Sequence, residues 1–206
     1  MRPILLTLLL LLGVAGAQGP SCEPDEPVEV PDAGLRAALQ VALGLVPVGS
    51  SEGAGSVPPI TCRDLQALTA LRVEAPRHVV RSLVGLEHAA NLQALALATD
   101  PALGPGTHQV HELADLAPLR HVTYLRELHL EGRGPLDIAG LAGLPYLERL
   151  TLHGFELPDL EPLAHLRHAE ILVLPYASVH DLEPFRRWSG SSGRPFPGAP
   201  QLRSQR

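Results

Sequence analysis

DLAPLRHVTYLRELHL, residues 115–130, places leucine at positions 116, 119, 125, 128 and 130. Moved on by twenty-two residues, the same offsets hold Ile138, Leu141, Leu147, Leu150 and Leu152, and moved on again they hold Leu160, Leu163, Ala169, Leu172 and Leu174. A further step reaches Leu182 and Phe185. Upstream, an earlier copy reads Leu92, Leu95, Leu97, and a shorter one reads Leu65, Leu68, Leu71, Val73. The pattern therefore runs for roughly five turns before it stops near Trp188, and such a fixed period is the mark of a stacked architecture.

Within each copy the close pair, such as Leu128 and Leu130, has the alternation of a short strand, while the wider spacing before it suits a turn of helix. One face of each element is apolar, and a lone copy cannot bury it. Stacking copies about 4.8 Å apart closes a continuous parallel sheet over one long core. Just before each helical turn stands a side chain able to accept from its orphan amides: Asp64, Ser82, Asp115, Asp137, Asp159 and Asp181. Capping accounts for both the residue type and the position, so these aspartates are not read as a metal ladder.

The stretches at 115–130, DLEPLAHLRHAEILVL at 159–174 and GLEHAANLQALAL at 85–97 resemble bacterial leucine-rich repeats of the internalin type. PDAGLRAALQVALG, Pro31 to Gly44, looks like the amphipathic helix that caps such stacks, with Asp32 as N-cap, Leu35, Leu39 and Leu43 on one face and Gly44 as terminator. ITCRDLQALTAL, Ile60 to Leu71, is similar to the first incomplete repeat. The resemblance implies an α/β leucine-rich-repeat solenoid, with a parallel sheet on the concave face, short helical or 3-10 turns on the convex face and a helical N-terminal cap. It also implies a binding role for the concave face, toward a protein or a cell-surface glycan. A structural or spacer role in the cell envelope is the alternative, and a metal-dependent hydrolase on the same face is a third reading.

Departures from the repeat pattern are specific. Where such repeats carry an asparagine three residues after the last strand leucine, this chain has Asp100, Arg133, Phe155 and Ala177, so the usual side-chain ladder is missing and the turn amides need other acceptors. A more irregular or less curved stack is expected. Ala169 in a leucine position implies a thinner core near the C-terminal end. The Pro- and Gly-rich segment from Ala98 to Val110 interrupts the period and reads as a protruding loop.

Composition narrows the function. All sixteen cationic residues are arginine, which removes P-loop and Schiff-base lysine chemistry. A net charge of -6 disfavours phosphate-backbone binding, so nucleic acid is not an expected partner. No GxSxG elbow, HExxH, CxxC or glycine-rich phosphate loop occurs; no enzyme activity and no cofactor are expected.

Residues 1–17 carry Arg2, an apolar run from Ile4 to Val14, and then Ala15, Gly16, Ala17, the layout of a signal peptide cut before Gln18. As a helix the apolar run covers only about half of a ~30 Å hydrocarbon core, so no stable membrane span is expected. Export to the periplasm, envelope or medium follows from this reading. There the two cysteines, Cys22 and Cys62, can pair, closing a loop of roughly forty residues and stabilising the fold by about 4 kcal/mol in the chain-entropy model. Lipidation of Cys22 is the rival, opposed by the poor context Gly19-Pro20-Ser21. Two isolated cysteines have no metal-ligand spacing. The domain reading is a leader at 1–17, an N-terminal cap region at 18–63, repeats at 64–188 and a disordered tail at 189–206.

The residues flanking the strand leucines point onto the concave face. Ala94, Ala96 and Ala98 make a bare floor, followed by Glu127, His129, Glu131, then Arg149, Thr151, His153, then Ile171, Val173 and Pro175. The binding residues read from this face are Glu127, His129, Glu131, Arg149, Thr151, His153, Ile171 and Val173. In register, Glu127 faces Arg149 and Glu131 faces His153, pairs worth about 0.2 to 1 kcal/mol each. His129, His153 and Glu131 have zinc-ligating chemistry, but charge pairing accounts for the same residues, and no metal is assigned. His121, His165 and His168 fall on the convex side.

Overall fold

Leu128 and Leu130 sit in a strand that is paired on both sides with copies of itself, and those pairings set the architecture. The computed structural model describes residues 22–46, 57–75, 77–99 and 110–179. Six strands, β1 (Ala70–Ala75), β2 (Ala94–Thr99), β3 (Glu127–Pro135), β4 (Arg149–Leu157), β5 (Ile171–Val173) and β6 (Ser178–Val179), form one parallel sheet. Its order is β1-β2-β3-β4-β5, with β6 beside the far half of β4. Short 3-10 turns at Leu86–His88, Ala117–His121, Ala139–Gly143 and Glu161–His165 connect the strands on the opposite side. This is a leucine-rich-repeat solenoid.

The register aligns like with like: Leu71, Leu95, Leu128, Leu150 and Leu172 form one file, and Val73, Leu97, Leu130 and Leu152 the next. All are buried in a single core that also takes Leu116, Leu119, Ile138, Leu141, Leu160 and Leu163 from the turns. Burying one leucine contributes on the order of 2 kcal/mol, and each depends on the neighbouring copy to cover it. Ala169 is only partly buried at its leucine position, and Leu172 beyond it is the most exposed of its file, which is the expected thinning.

Each turn opens as its acid dictates. Asp115 accepts from the Ala117 amide at 3.0 Å, Asp137 from Ala139 at 2.8 Å and Asp159 from Glu161 at 2.8 Å. Two of the expected caps differ. Asp64 lies inside α2 (Cys62–Ala67), where Thr61 is the N-cap and Asp64 completes a capping box with it; the helix starts three residues earlier than a cap at Asp64 implies. Before the Leu86–His88 turn, Ser82 takes the Val84 amide, while the Gly85 amide goes to Glu87 at 2.7 Å. Asp181 lies outside the described residues.

Adjacent turns press together at Gly140, where an added Cβ would sit 2.0 Å from the Leu116 carbonyl oxygen. Proline occupies the equivalent place in the turns on either side, at Pro118 and Pro162, and only glycine permits this approach.

The missing asparagine ladder is replaced by backbone. Instead of ending after their leucine pair, β3 and β4 each run for nine residues around the corner of the coil, with a register shift between Glu131 and Gly134. The turn amides find rung-to-rung carbonyls: Arg133 to His111, Gly154 to Pro175, Leu136 to Glu156 and Asp137 to Ala114. Phe155, in one of the asparagine places, is fully buried and lies against Gly132, where a Cβ would meet its ring at 2.4 Å. Arg133, in another, turns outward to Glu112 at 2.8 Å. Glu112 also holds Arg81 at 3.3 Å, and the hydrogen bonds from Arg133 and Arg81 keep its carboxyl below the usual range. Asp100 lies outside the described residues.

The N-terminal end is closed by α1 (Ala33–Ala42), which buries Leu35, Ala38 and Leu39 and packs Leu43 at the edge of the core. Asp32 accepts from the Leu35 amide at 2.7 Å, and its second oxygen takes the amides of Arg81 at 2.9 Å and Ser82 at 3.3 Å. One carboxylate thus caps the helix and ties it to the stack. Gly44 follows the helix with φ +70°, as a terminator does. A disulfide joins Cys22 to Cys62, and backbone bonds from Cys62 to Glu26 and from Val28 to Ile60 run beside it.

Among the described residues His111 is the one fully buried polar side chain, and nothing in the sequence singled it out. Its Nδ1 accepts from the Val80 amide at 3.1 Å, so Nε2 carries the proton and donates to the Ala98 carbonyl at 3.2 Å. The ring therefore joins the two ends of the 98–110 insertion to the rung below; residues 100–109 lie outside the described set. Burial pushes the His111 pKa down despite the Ala98 hydrogen bond, which favours the charged form.

Two outcomes follow. Phe155→Ala destabilises the protein by about 3–5 kcal/mol in urea unfolding, as removal of a fully packed ring does, with Phe155→Leu costing less. As pH falls below about 6.5, the unfolded chain protonates position 111 before the folded chain does, so stability is full above that pH and declines toward the folded value. Tm measured from about pH 7.5 to about pH 5 falls more steeply for the parent chain than for His111→Gln; equal slopes would assign the dependence to other histidines.

Candidate functional site: the concave sheet face

Because the leucine files point inward, the alternate residues of each strand form three files across the open face. The first runs Ala70, Ala94, Glu127, Arg149, Ile171 and the second Arg72, Ala96, His129, Thr151, Val173. In the third, Glu131 stands beside His153 on β3 and β4. All eight residues read from the sequence as a binding set therefore lie on one face. Arg72 and Glu74 of β1 belong to it as well, paired to each other at 2.9 Å. The signal for them in the sequence is their alternation with Leu71 and Val73.

The first file contains an ion pair: Arg149 Nη1 donates to Glu127 Oε1 across the β3–β4 pair. Both side chains are about half exposed, so the pair orients the two groups more than it stabilises the fold. The neighbouring rim pair, Arg126 with Glu148 at 2.5 Å, repeats the arrangement one residue earlier.

Glu131 does not pair with His153. One of its oxygens accepts from the Thr99 amide at 2.8 Å, and the other meets His129 Nε2 at 3.0 Å, two residues back on its own strand. Thr99 ends β2, where the strand's regular pairing with β3 has already stopped, so its amide needs an acceptor and the carboxylate supplies one. Burial alone would raise the Glu131 carboxyl, but the Thr99 amide and His129 outweigh it and hold it below the usual range. Among the described residues, the only close set of three metal-ligating types is Cys22, Cys62 and His88, so His129, His153 and Glu131 do not converge as one.

His153 instead meets Tyr176 edge-on, with ring centroids 5.2 Å apart. Tyr176 is 85% exposed and has φ 56°, a left-handed turn that carries the chain past the end of β5. Together with Ile171 and Val173, both more than 40% exposed, it makes the C-terminal third of the face apolar. Ala98, expected as part of the bare floor, is buried; Ala94 and Ala96 remain half-buried on the surface. The face thus grades from paired charges on β1, through small alanines, to charge and histidine on β3 and β4, and then to exposed aliphatic and aromatic groups.

A second aromatic feature was not read from the sequence. Tyr124 and Tyr146, one repeat apart in the segments leading into β3 and β4, stack with centroids 6.2 Å apart and planes within 4°. His168, one repeat further, continues the row at 6.3 Å.

No family model matches the chain, and a search of curated proteins finds no match either. Solved structures do match. An internalin (inlF) from Listeria monocytogenes is 21% identical with a TM-score of 0.54, over 80% of this chain and 50% of its own. An internalin C2 (inlC2) from the same organism is 20% identical with a TM-score of 0.50, over 82% of this chain and 77% of its own. The chain thus spans half the length of the first of these proteins. At these identities the likeness is one of fold: the molecule has an internalin-like leucine-rich-repeat architecture.

Proposed function

We propose that this chain is an exported binding protein that holds a protein partner, or a cell-surface glycan, on its concave sheet face. The observation that carries the reading is the apolar end of that face, where Ile171, Val173 and Tyr176 stand exposed beside the oriented Glu127–Arg149 pair. Aromatic and aliphatic anchors bordered by fixed charges are what a recognition surface needs, and none of these groups is required by the core. The charges are paired within the face, so a partner meets a patterned surface of low net charge and affinity comes from the apolar anchors. Thr151, His129 and His153 supply hydrogen-bonding groups between the two regions.

Export rests on the leader-like residues 1–17, which lie outside the described residues, together with the Cys22–Cys62 disulfide, a bond that persists in oxidising compartments. No helix among the described residues is long and apolar enough to cross a membrane. In this reading residues 18–63 form the cap region, 64–188 the repeats and 189–206 a tail. A spacer role in the envelope is the second reading, and the uninterrupted stack of short rungs is what favours it.

The reading predicts a separation of binding from stability. Simultaneous Glu127→Arg and Arg149→Glu substitutions, or Val173→Asp alone, change the unfolding free energy by no more than about 1 kcal/mol, since these side chains are largely solvated. Glu131→Ala costs about 1–3 kcal/mol, because it strips the Thr99 amide of its acceptor. In affinity capture from an envelope extract, each surface variant retains no more than about a tenth of the parent's capture of any partner found. Undiminished capture by all of them would move the site off this face, and altered envelope integrity on deletion with no captured partner would favour the spacer.

A further inference from the structure

The disulfide has a third neighbour. Cys62 opens α2 and is fully buried, Cys22 reaches it from the N-terminal segment, and His88 ends the 3-10 turn Leu86–His88 of the next rung. The two sulfurs and a ring nitrogen of His88 all lie within 4.8 Å of one another. His88 Nδ1 is buried and has no hydrogen-bond partner, the one such side-chain atom among the described residues. A buried imidazole nitrogen left unpaired costs about 1–3 kcal/mol, and native structures rarely retain one without a use.

We propose that Cys22, Cys62 and His88 form a soft-metal site that exchanges with the disulfide, holding a single copper(I) ion when the cysteines are reduced. The donor set selects the ion. Two thiolates and an imidazole are soft to borderline ligands that favour copper(I) or zinc over hard cations. Among the described residues no fourth histidine, cysteine or carboxylate joins the cluster, whereas structural zinc sites are closed by four protein ligands. Three donors suit a three-coordinate copper(I) centre. Cys22 and Cys62 have no metal-ligand spacing along the chain, and His88 joins them only through the fold.

The exchange balances with a dithiol as reductant. Two electrons and two protons pass to the sulfur pair, the Cys22–Cys62 bond breaks to give two thiols, and the dithiol closes to its own disulfide. Copper(I) then binds both sulfurs and the His88 nitrogen, and the two thiol protons go to water. Gln66, whose amide donates to Cys62 Sγ at 3.4 Å, stands ready to hydrogen-bond the bound thiolate. In either state the N-terminal segment stays fastened to α2, by a covalent bond or through the ion. The site is separate from the concave face, and its fate does not bear on the reading given for that face.

The test uses the full chain, reduced with a water-soluble phosphine under nitrogen and titrated with copper(I) against a chromophoric copper(I) chelator. The reduced chain is expected to take up one ion per molecule, with a new ultraviolet thiolate-to-copper absorption, and the disulfide form to take up none. His88→Gln, which leaves both cysteines in place, weakens binding by at least about tenfold, and Cys22→Ser weakens it further. Far-ultraviolet circular dichroism of reduced His88→Gln is expected to match that of the reduced parent, so this variant decides the matter even if Cys22→Ser does not fold. Equal binding by His88→Gln, no competition with the chelator, or uptake of zinc but not copper(I) would overturn the proposal.

Discussion

Each coil of this molecule has one apolar edge that its own residues cannot cover, and the whole structure depends on the next coil covering it. The files Leu95, Leu128, Leu150, Leu172 and Leu97, Leu130, Leu152 express that dependence, since no member is buried by its own repeat alone. Closeness is what makes it work. At Gly140 the turns approach until no side chain fits between them, and at Gly132 a phenyl ring takes the space a methyl group would need. Where the sequence lacks the side chains that ordinarily stitch such coils, the backbone extends its own pairing around the corner instead.

The architecture was legible because the period was. Five residues per copy, at fixed offsets, have no other economical explanation, and a stack carries its register in its period: Leu128 opposite Leu150 implies Glu127 opposite Arg149. The capping helix was equally plain, since Asp32, the leucine stripe and Gly44 are local signals. What was hidden is what depends on the ends of strands. Glu131 was expected to look sideways to His153, but a carboxylate one residue past a regular ladder is drawn to the nearest unpaired amide, and that amide belongs to Thr99, thirty-two residues back in the chain. Asp64 was placed one helical turn out of step because Thr61 is the better cap and lies just ahead of it.

His111 and His88 show the same limit from the other side. In the sequence they are two histidines among ten, each near a turn, with nothing to separate them from His121 or His165. Coiling buries one ring between two backbone segments and brings the other against a pair of sulfurs. Chemistry that arises from the superposition of distant rungs has no linear signature. The apolar end of the concave face is intermediate: Ile171 and Val173 follow from alternation, whereas Tyr176 needed the left-handed turn that no periodicity announces.

The His111 ring has a consequence for how this chain can change. By joining the Ala98 carbonyl to its own position, it fastens the two stems of the inserted segment at their base, independently of what lies between them. Lengthening a loop with fixed stems costs only about 0.6 kcal/mol for each doubling. The scaffold therefore offers a socket at which foreign sequence can be grafted, by natural variation or by design, and displayed next to the sheet without renegotiating the stack beneath it.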